Sequence, residues 1–164
     1  MIRLAVFDVD GCLTDGRIVY TDEGDELKAF DVKDGFAIAN WMRLGRDAAI
    51  ITGRKSKIVE RRAKELGIVH LYQGVRDKLA KLEELCDRLG IELENVAAIG
   101  DDLNDYRMLK ACGRSFVPAD AVHHVAEIAD VVLSRRGGRG AVREMLELLI
   151  RDEGLEEEYL ARWL

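Results

Sequence analysis

Glycines stand at positions 45, 67, 90 and 113, spaced 22, 23 and 23 residues apart, and each follows a stretch built to coil as an amphipathic helix. Ahead of these stretches lie short apolar runs: Leu4-Ala5-Val6-Phe7, Ala48-Ala49-Ile50-Ile51, Val69-His70-Leu71-Tyr72 and Val96-Ala97-Ala98-Ile99. A strand, a helix and a helix-stopping glycine, repeated at this interval, predict an α/β fold with a doubly wound parallel sheet. The intervening sequences are not alike, which excludes a solenoid.

The pattern predicts one helix from Asp34 to Gly45, with Phe36, Trp41 and Leu44 on its apolar face. Others are expected from Ser56 to Leu66, from Asp77 to Leu89 and from the 101–105 region to Gly113. Leu79, Leu82, Cys86 and Leu89 form the buried side of the third. Later in the chain, Ser115–Val117 and Asp130–Leu133 read as strands around a helix at Ala121–Ile128, and a helix through Val142, Met145, Leu146 and Leu149 closes the pattern. One segment breaks the alternation. Residues 17–30 hold two strand-like runs around Thr21-Asp22-Glu23-Gly24-Asp25-Glu26, a β-hairpin insertion. The acidic tail, 151–164, carries Leu155, Tyr159, Leu160 and Trp163 for a short helix or a neighbour to cover.

With 164 residues and one proline the chain has room for a single α/β domain over 1–164 and none for a large cap domain. A net charge of −6 argues against nucleic acid as partner, whose phosphates call for a basic surface. Cys12, Cys86 and Cys112 form no C-x-x-C pair and suggest neither disulfides nor zinc, which fits a reducing cytoplasm. The apolar start is cut at Asp8, and no run approaches the roughly 18 apolar residues of a membrane span. A soluble cytoplasmic protein acting on a small molecule is expected.

The first strand delivers Asp8-Val9-Asp10-Gly11-Cys12-Leu13-Thr14-Asp15-Gly16 at its carboxyl end, where open α/β sheets hold their ligands. Two carboxylates as close as Asp8 and Asp10 call for a cation or a shared proton, and Mg²⁺ answers with oxygen ligands. Asp8 then suits attack on phosphorus, and Asp10 protonation of the leaving oxygen. A capped turn is the plainer reading of D-x-D taken alone. Three further features weigh against it. Thr52-Gly53-Arg54 follows the second long strand, placing a hydroxyl and backbone N–H groups toward an anion. Lys78 opens a helix, where the dipole disfavours a cation unless an anion is near. Asp101, Asp102 and Asp105 crowd one helix start beyond what capping needs. Asp101 is the expected third metal ligand, with Asp102 and Asp105 outside the metal shell or orienting Lys78. His123 and His124, adjacent on a helix, do not face each other and read as solvated.

DVDGCLTDG, ITGR, Lys78 and GDDLND together resemble the four motifs of the haloacid dehalogenase-like phosphatases. The hairpin, ITGRKSKIVERRAKELGI, HLYQG and GGRGAVRE resemble most a branch acting on phosphorylated keto sugar acids. The resemblance reaches to about Ile150. It implies a Mg²⁺-dependent phosphatase that frees an eight-carbon keto sugar acid for lipopolysaccharide assembly through an aspartyl phosphate, a nine-carbon sialic-type ester being the rival substrate. By the same resemblance Asp8 is nucleophile, Asp10 acid/base and backbone-carbonyl metal ligand, Thr52 with Gly53 and Lys78 the phosphate holders, and Asp101 a metal ligand. It also implies a homotetramer whose hairpins pair and whose active sites are shared. Arg54 would then meet the substrate's carboxylate. Arg139, in Arg136-Gly137-Gly138-Arg139-Gly140, would reach a neighbour's pocket. A receiver-type phosphoacceptor or a noncatalytic oligomerisation module are the other classes; the acid at Asp10 argues against the first, and the intact set Asp8, Asp10, Thr52, Lys78 and Asp101 against the second.

Overall fold

The computed structural model describes all residues from Met1 to Leu164. In chain order the elements are β1 (Leu4–Phe7), the hairpin strands β2 (Val19–Tyr20) and β3 (Glu26–Leu27), α1 (Val32–Arg43), β4 (Asp47–Ile51) and α2 (Lys57–Leu66). β5 (His70–Tyr72), α3 (Lys78–Leu89), β6 (Val96–Ile99), α4 (Tyr106–Ala111) and β7 (Arg114–Val117) come next. The last are α5 (His123–Ala126), β8 (Val131–Val132), α6 (Ala141–Asp152) and α7 (Glu156–Leu160).

Six strands form one sheet in the order β5-β4-β1-β6-β7-β8, every neighbouring pair parallel. After β1 the chain builds outward through β4 and β5, then crosses back to β6 on the other side of β1. The direction of winding therefore reverses beside β1, and a crevice opens at the carboxyl ends there. β1 is wholly buried because its side chains alternate between two packed layers. Ala5 and Phe7 join Ile38, Trp41 and the α6 residues Val142, Met145 and Leu149 on one face. Leu4 and Val6 join Leu82, Leu85, Met108 and Val125 on the other. β2 and β3 form a separate antiparallel pair beyond the sheet.

Three of the four rhythmic glycines end helices as expected: Gly45, Gly67 and Gly90 have φ of 75°, 79° and 63°. Gly113 does not. α4 stops at Ala111, and a Cβ on Gly113 would fall 2.0 Å from the Glu94 carbonyl oxygen, so close packing excludes a side chain there. Phe36 also departs from its expected apolar face. It is 39% exposed and meets Trp163 with ring centroids 5.0 Å apart, while Trp41 alone is fully buried and donates its indole N–H to the Asp47 carbonyl at 2.9 Å. α1 starts earlier than expected because Asp31 caps it, accepting from the Lys33 N–H. In α3 the buried stripe is Lys78, Leu82, Leu85 and Cys86; Leu79 and Leu89 lie at its half-covered margin. The tail coils as α7 against its own chain, burying Tyr159. His123 and His124 are solvated, as expected.

Candidate active site

Asp8 ends β1 with its backbone tied to the sheet, its N–H donating to the Ile99 carbonyl at 3.1 Å. The chain then makes a wide turn, Val9–Leu13, whose backbone leaves the helical range at Asp10, ψ 109°, and Gly11. At φ 99°, with a hypothetical Cβ 2.0 Å from Asp101 Oδ2, that position admits only glycine, and the gap lets the β6 loop close on the β1 loop. Thr14 fastens the turn: its Oγ1 accepts from the Gly16 N–H at 3.2 Å and donates to the Val9 carbonyl at 3.4 Å. Gly137 and Gly138 brace it from below. A Cβ on Gly137 would lie 1.7 Å from the Gly11 carbonyl oxygen, and the Gly138 N–H donates to the Cys12 carbonyl at 2.9 Å. Gly137 and Gly138 are thus explained by this chain's own first loop, whereas Gly140, at φ 96°, opens α6. Arg139 itself stands outside the carboxylate cleft, over a surface hollow with Asp15, Arg17 and Asp120.

A cleft of about 260 Å³ opens where β1, β4 and β6 end. Asp8, Asp10, Thr52, Gly53, Arg54, Asp101 and Asp102 line it, joined by Gly16 and Asn104, which sequence reasoning did not single out. Lys78 lies beneath, 1% exposed, its Nζ 2.7 Å from Asp8 Oδ1 and 2.5 Å from Asp105 Oδ1. Burial works against its ammonium, but Asp8 and Asp105 outweigh this and hold its pKa above the usual lysine value. Asp105 is fully buried and turns its other oxygen to the Asp101 N–H at 3.1 Å. It therefore orients Lys78 and pins the β6 loop at once. Asp102 caps the short turn Leu103–Asp105, accepting from the Leu103 N–H at 2.7 Å.

Ligand atoms of Asp8, Asp101 and Cys12 lie within 4.8 Å of one another. Burial drives Asp8 up to about 6 despite Lys78 beside it. Burial, then the charges of Asp8, Asp105 and Asp102, drive Asp101 up to about 8. Carboxylates so disfavoured are relieved by a divalent cation, and hard oxygen donors fit Mg²⁺. Cys12 does not belong to that donor set: burial and the neighbouring acids push its thiol well above the ordinary range, and a neutral soft sulfur is a poor Mg²⁺ ligand. Asp10 does not converge with Asp8 through its side chain. Its Oδ1 instead takes an ion pair from Lys28 of the hairpin.

Lys28, with Glu26, is the main feature that sequence reasoning missed. The Lys28 Nζ is 3.2 Å from Glu26 Oε1, and the same oxygen lies 3.0 Å from Arg54 Nη2. Arg54 Nη1 is buried without a hydrogen-bond partner. Arg54 at the mouth of the cleft and Lys28 on the hairpin behind it thus share one carboxylate.

A family model described as haloacid dehalogenase-like hydrolase matches residues 68–145. Over 157 residues the chain is 48% identical to the 3-deoxy-D-manno-octulosonate 8-phosphate phosphatase of Salmonella typhi, covering 96% of this chain and 84% of that protein. The crystal structure of the phosphatase of the same name from Moraxella catarrhalis, in complex with magnesium ion, phosphate ion and KDO, matches with TM-score 0.97 and 42% identity over 99% of this chain and 94% of that one. The Yersinia pestis counterpart matches with TM-score 0.91 and 46% identity over 94% and 84% of the two chains.

Proposed function

This chain belongs to the 3-deoxy-D-manno-octulosonate 8-phosphate phosphatases of the haloacid dehalogenase-like superfamily, and from that premise we propose how its residues carry the reaction. The enzyme hydrolyses 3-deoxy-D-manno-octulosonate 8-phosphate to the free sugar acid and inorganic phosphate, a step of lipopolysaccharide precursor synthesis, with Mg²⁺ as cofactor. The observation that carries the residue assignment is the Asp8–Lys78–Asp105 ion triad under a cleft that Thr52 and Asp101 complete from two other strand ends.

Asp8, Asp101 and the Asp10 backbone carbonyl would hold Mg²⁺, which supplies positive charge to the phosphoryl oxygens when bound. Asp8 attacks phosphorus in line while Asp10 gives a proton to the departing sugar oxygen, and an aspartyl phosphate forms. Asp10 then takes a proton from the water that hydrolyses it. Thr52, with its hydroxyl lining the cleft and the Gly53 backbone beside it, holds the phosphoryl group, and Lys78 balances its charge from below. Arg54, one residue further out, meets the sugar carboxylate; its unpartnered Nη1 supports that role.

The 1–164 segment acts as one capless domain in this reading, and a second subunit completes it. Ile18, Val19, Tyr20 and Leu27 expose 54%, 44%, 61% and 53% of their surface on a hairpin whose strands are two residues long. Such a hairpin is stable only against a further surface, and pairing hairpins in a homotetramer would supply one. Arg139, unpaired at the surface, would then reach the neighbouring cleft. A cytoplasmic location is consistent with three free cysteines; no helix is long and apolar enough to cross a membrane.

The test is phosphate release from the eight-carbon ester, a nine-carbon sialic-type 9-phosphate and p-nitrophenyl phosphate, each with Mg²⁺ and with chelator. Highest kcat/KM on the eight-carbon ester, silenced by chelation, is expected. A higher value on the nine-carbon ester would reassign the substrate. Mixed tetramers of Asp8→Asn with Arg139→Ala should regain part of the activity; none regained would place Arg139 outside the site.

A further inference from the structure

Lys28 belongs to no motif of the phosphoryl-transfer site, yet its side chain is 2% exposed and its ammonium grips the acid/base Asp10. Burying an ammonium costs several kcal/mol unless close anions compensate, and a surface hairpin has no need of one for its own folding. Two anions compensate here, Asp10 Oδ1 and, at 3.2 Å, Glu26 Oε1. Lys28 does not line the cleft, whereas Asp10 does. It therefore reaches Asp10 from the hairpin side and does not compete with substrate. With Oδ1 engaged, Oδ2 is the oxygen of Asp10 left for proton transfer.

We propose that Lys28 is a positioning residue for Asp10, so that the hairpin sets the proton-transfer geometry as well as covering the cleft; the inference rests on the phosphatase reading above. In the first half-reaction an Asp8 oxygen bonds to phosphorus as the phosphorus–sugar oxygen bond breaks. The bond's electron pair goes to the sugar oxygen, which takes the Asp10 proton. In the second, a water oxygen bonds to phosphorus, the pair of the broken bond returns to Asp8, and the water's proton goes to Asp10. Lys28 neither gives nor takes a proton. It holds one carboxyl oxygen still through both transfers, and a misplacement of about 1 Å at such a group costs on the order of 10²-fold.

Leaving-group dependence separates this role from a scaffold role. A sugar alkoxide cannot depart unprotonated, whereas p-nitrophenolate can, and kcat/KM reports the step in which it departs. Lys28→Met should lower kcat/KM on the keto sugar acid phosphate about 100-fold, in the range of general-acid effects, and that on p-nitrophenyl phosphate by no more than about threefold. Lys28→Arg, which keeps the cation, should recover a substantial part of the loss. If Lys28→Met does not fold, Lys28→Gln keeps a donor to Asp10 and is judged on the same two substrates. Equal losses on both substrates, or no loss on either, would overturn the proposal. If the wild type leaves the keto sugar acid phosphate untouched, the substrate assignment has failed instead, and β-glycerophosphate then serves as the alkyl ester for Lys28.

Discussion

The floor and the mouth of the cleft are built from the same kinds of residue and behave differently. The floor's Lys78, Asp8 and Asp105 expose at most 6% of their side chains, and each rises from an element locked into or against the sheet. At the mouth, Arg54 is 37% exposed and Glu26 17%, and the hairpin that brings Glu26 pairs over only two residues per strand. Phosphoryl transfer needs a rigid set of charges common to any substrate, and a sheet edge supplies it. Choice of sugar needs groups that can be exchanged without disturbing that set, and a surface hairpin supplies those. The difference predicts that floor substitutions strike every substrate or the fold itself, while mouth substitutions strike some substrates only.

The largest effect is expected at Asp8. Asp8→Asn should cut turnover of every phosphate ester by about 10⁴-fold or more, since an amide is no nucleophile, with the folded state retained by circular dichroism. Residual selectivity between esters in this variant would mean that the floor is not common to all.

Lys78→Met should come next, and on stability. It leaves Asp8 and Asp105 buried without their cation, a change that costs about 3–5 kcal/mol in urea unfolding. Glu26→Gln also takes an anion from a buried lysine, but Asp10 remains beside Lys28, so the cost should be smaller, about 1–2 kcal/mol. Similar values for the two would erase the distinction.

Metal removal probes the floor from another side. In the metal-free protein Asp8 titrates near 6 and Asp101 near 8, against about 4 for an unfolded carboxyl. The folded state binds the more protons between those values, so the contribution of these two carboxyls to metal-free stability is greatest in acid and falls as pH rises from about 4 to 8. Mg²⁺ at about 100 times its Kd at pH 8 should return about 2.7 kcal/mol there, and the same concentration should return less at lower pH, where the carboxyls hold protons. Thermal melts with chelator and with Mg²⁺ across that range measure this; a chelated protein whose Tm holds level would count against the two raised carboxyls.

The smallest effect is the most selective. Arg54→Ala should lower kcat/KM on the keto sugar acid phosphate by about 10–100-fold, the worth of a charged hydrogen bond, and leave p-nitrophenyl phosphate nearly unchanged. Equal losses on both would remove Arg54 from sugar recognition.

The floor was legible in the sequence, whereas of the mouth only Arg54 was, for a physical reason. Asp8 and Thr52 directly follow an apolar run that can only be a buried strand, Asp101 follows another after Gly100, and parallel strands put their carboxyl ends side by side. Lys78 and Asp105 follow from the same logic one helix later. Nothing local tells where Lys28 points, because that depends on how a two-strand hairpin folds over the turn at Gly11, and a lysine beside glutamates reads as solvated surface. Gly113 was misread because a glycine needed for close approach to Glu94 looks, in sequence, like one needed for a left-handed helix end. Phe36 was misplaced because the tail supplies Trp163 as its partner, a contact between residues far apart in the chain.

Trapping the phosphoenzyme tests the central assignment most directly. Asp10→Asn protein mixed with p-nitrophenyl phosphate and Mg²⁺ can lose the leaving group without an acid but lacks the base that activates water, so the intermediate should accumulate. After acid quench and digestion, mass spectrometry should find one phosphoryl group on the peptide that carries Asp8. Release of p-nitrophenol with that peptide unmodified, or with the phosphoryl group on another residue, would contradict Asp8 as the nucleophile.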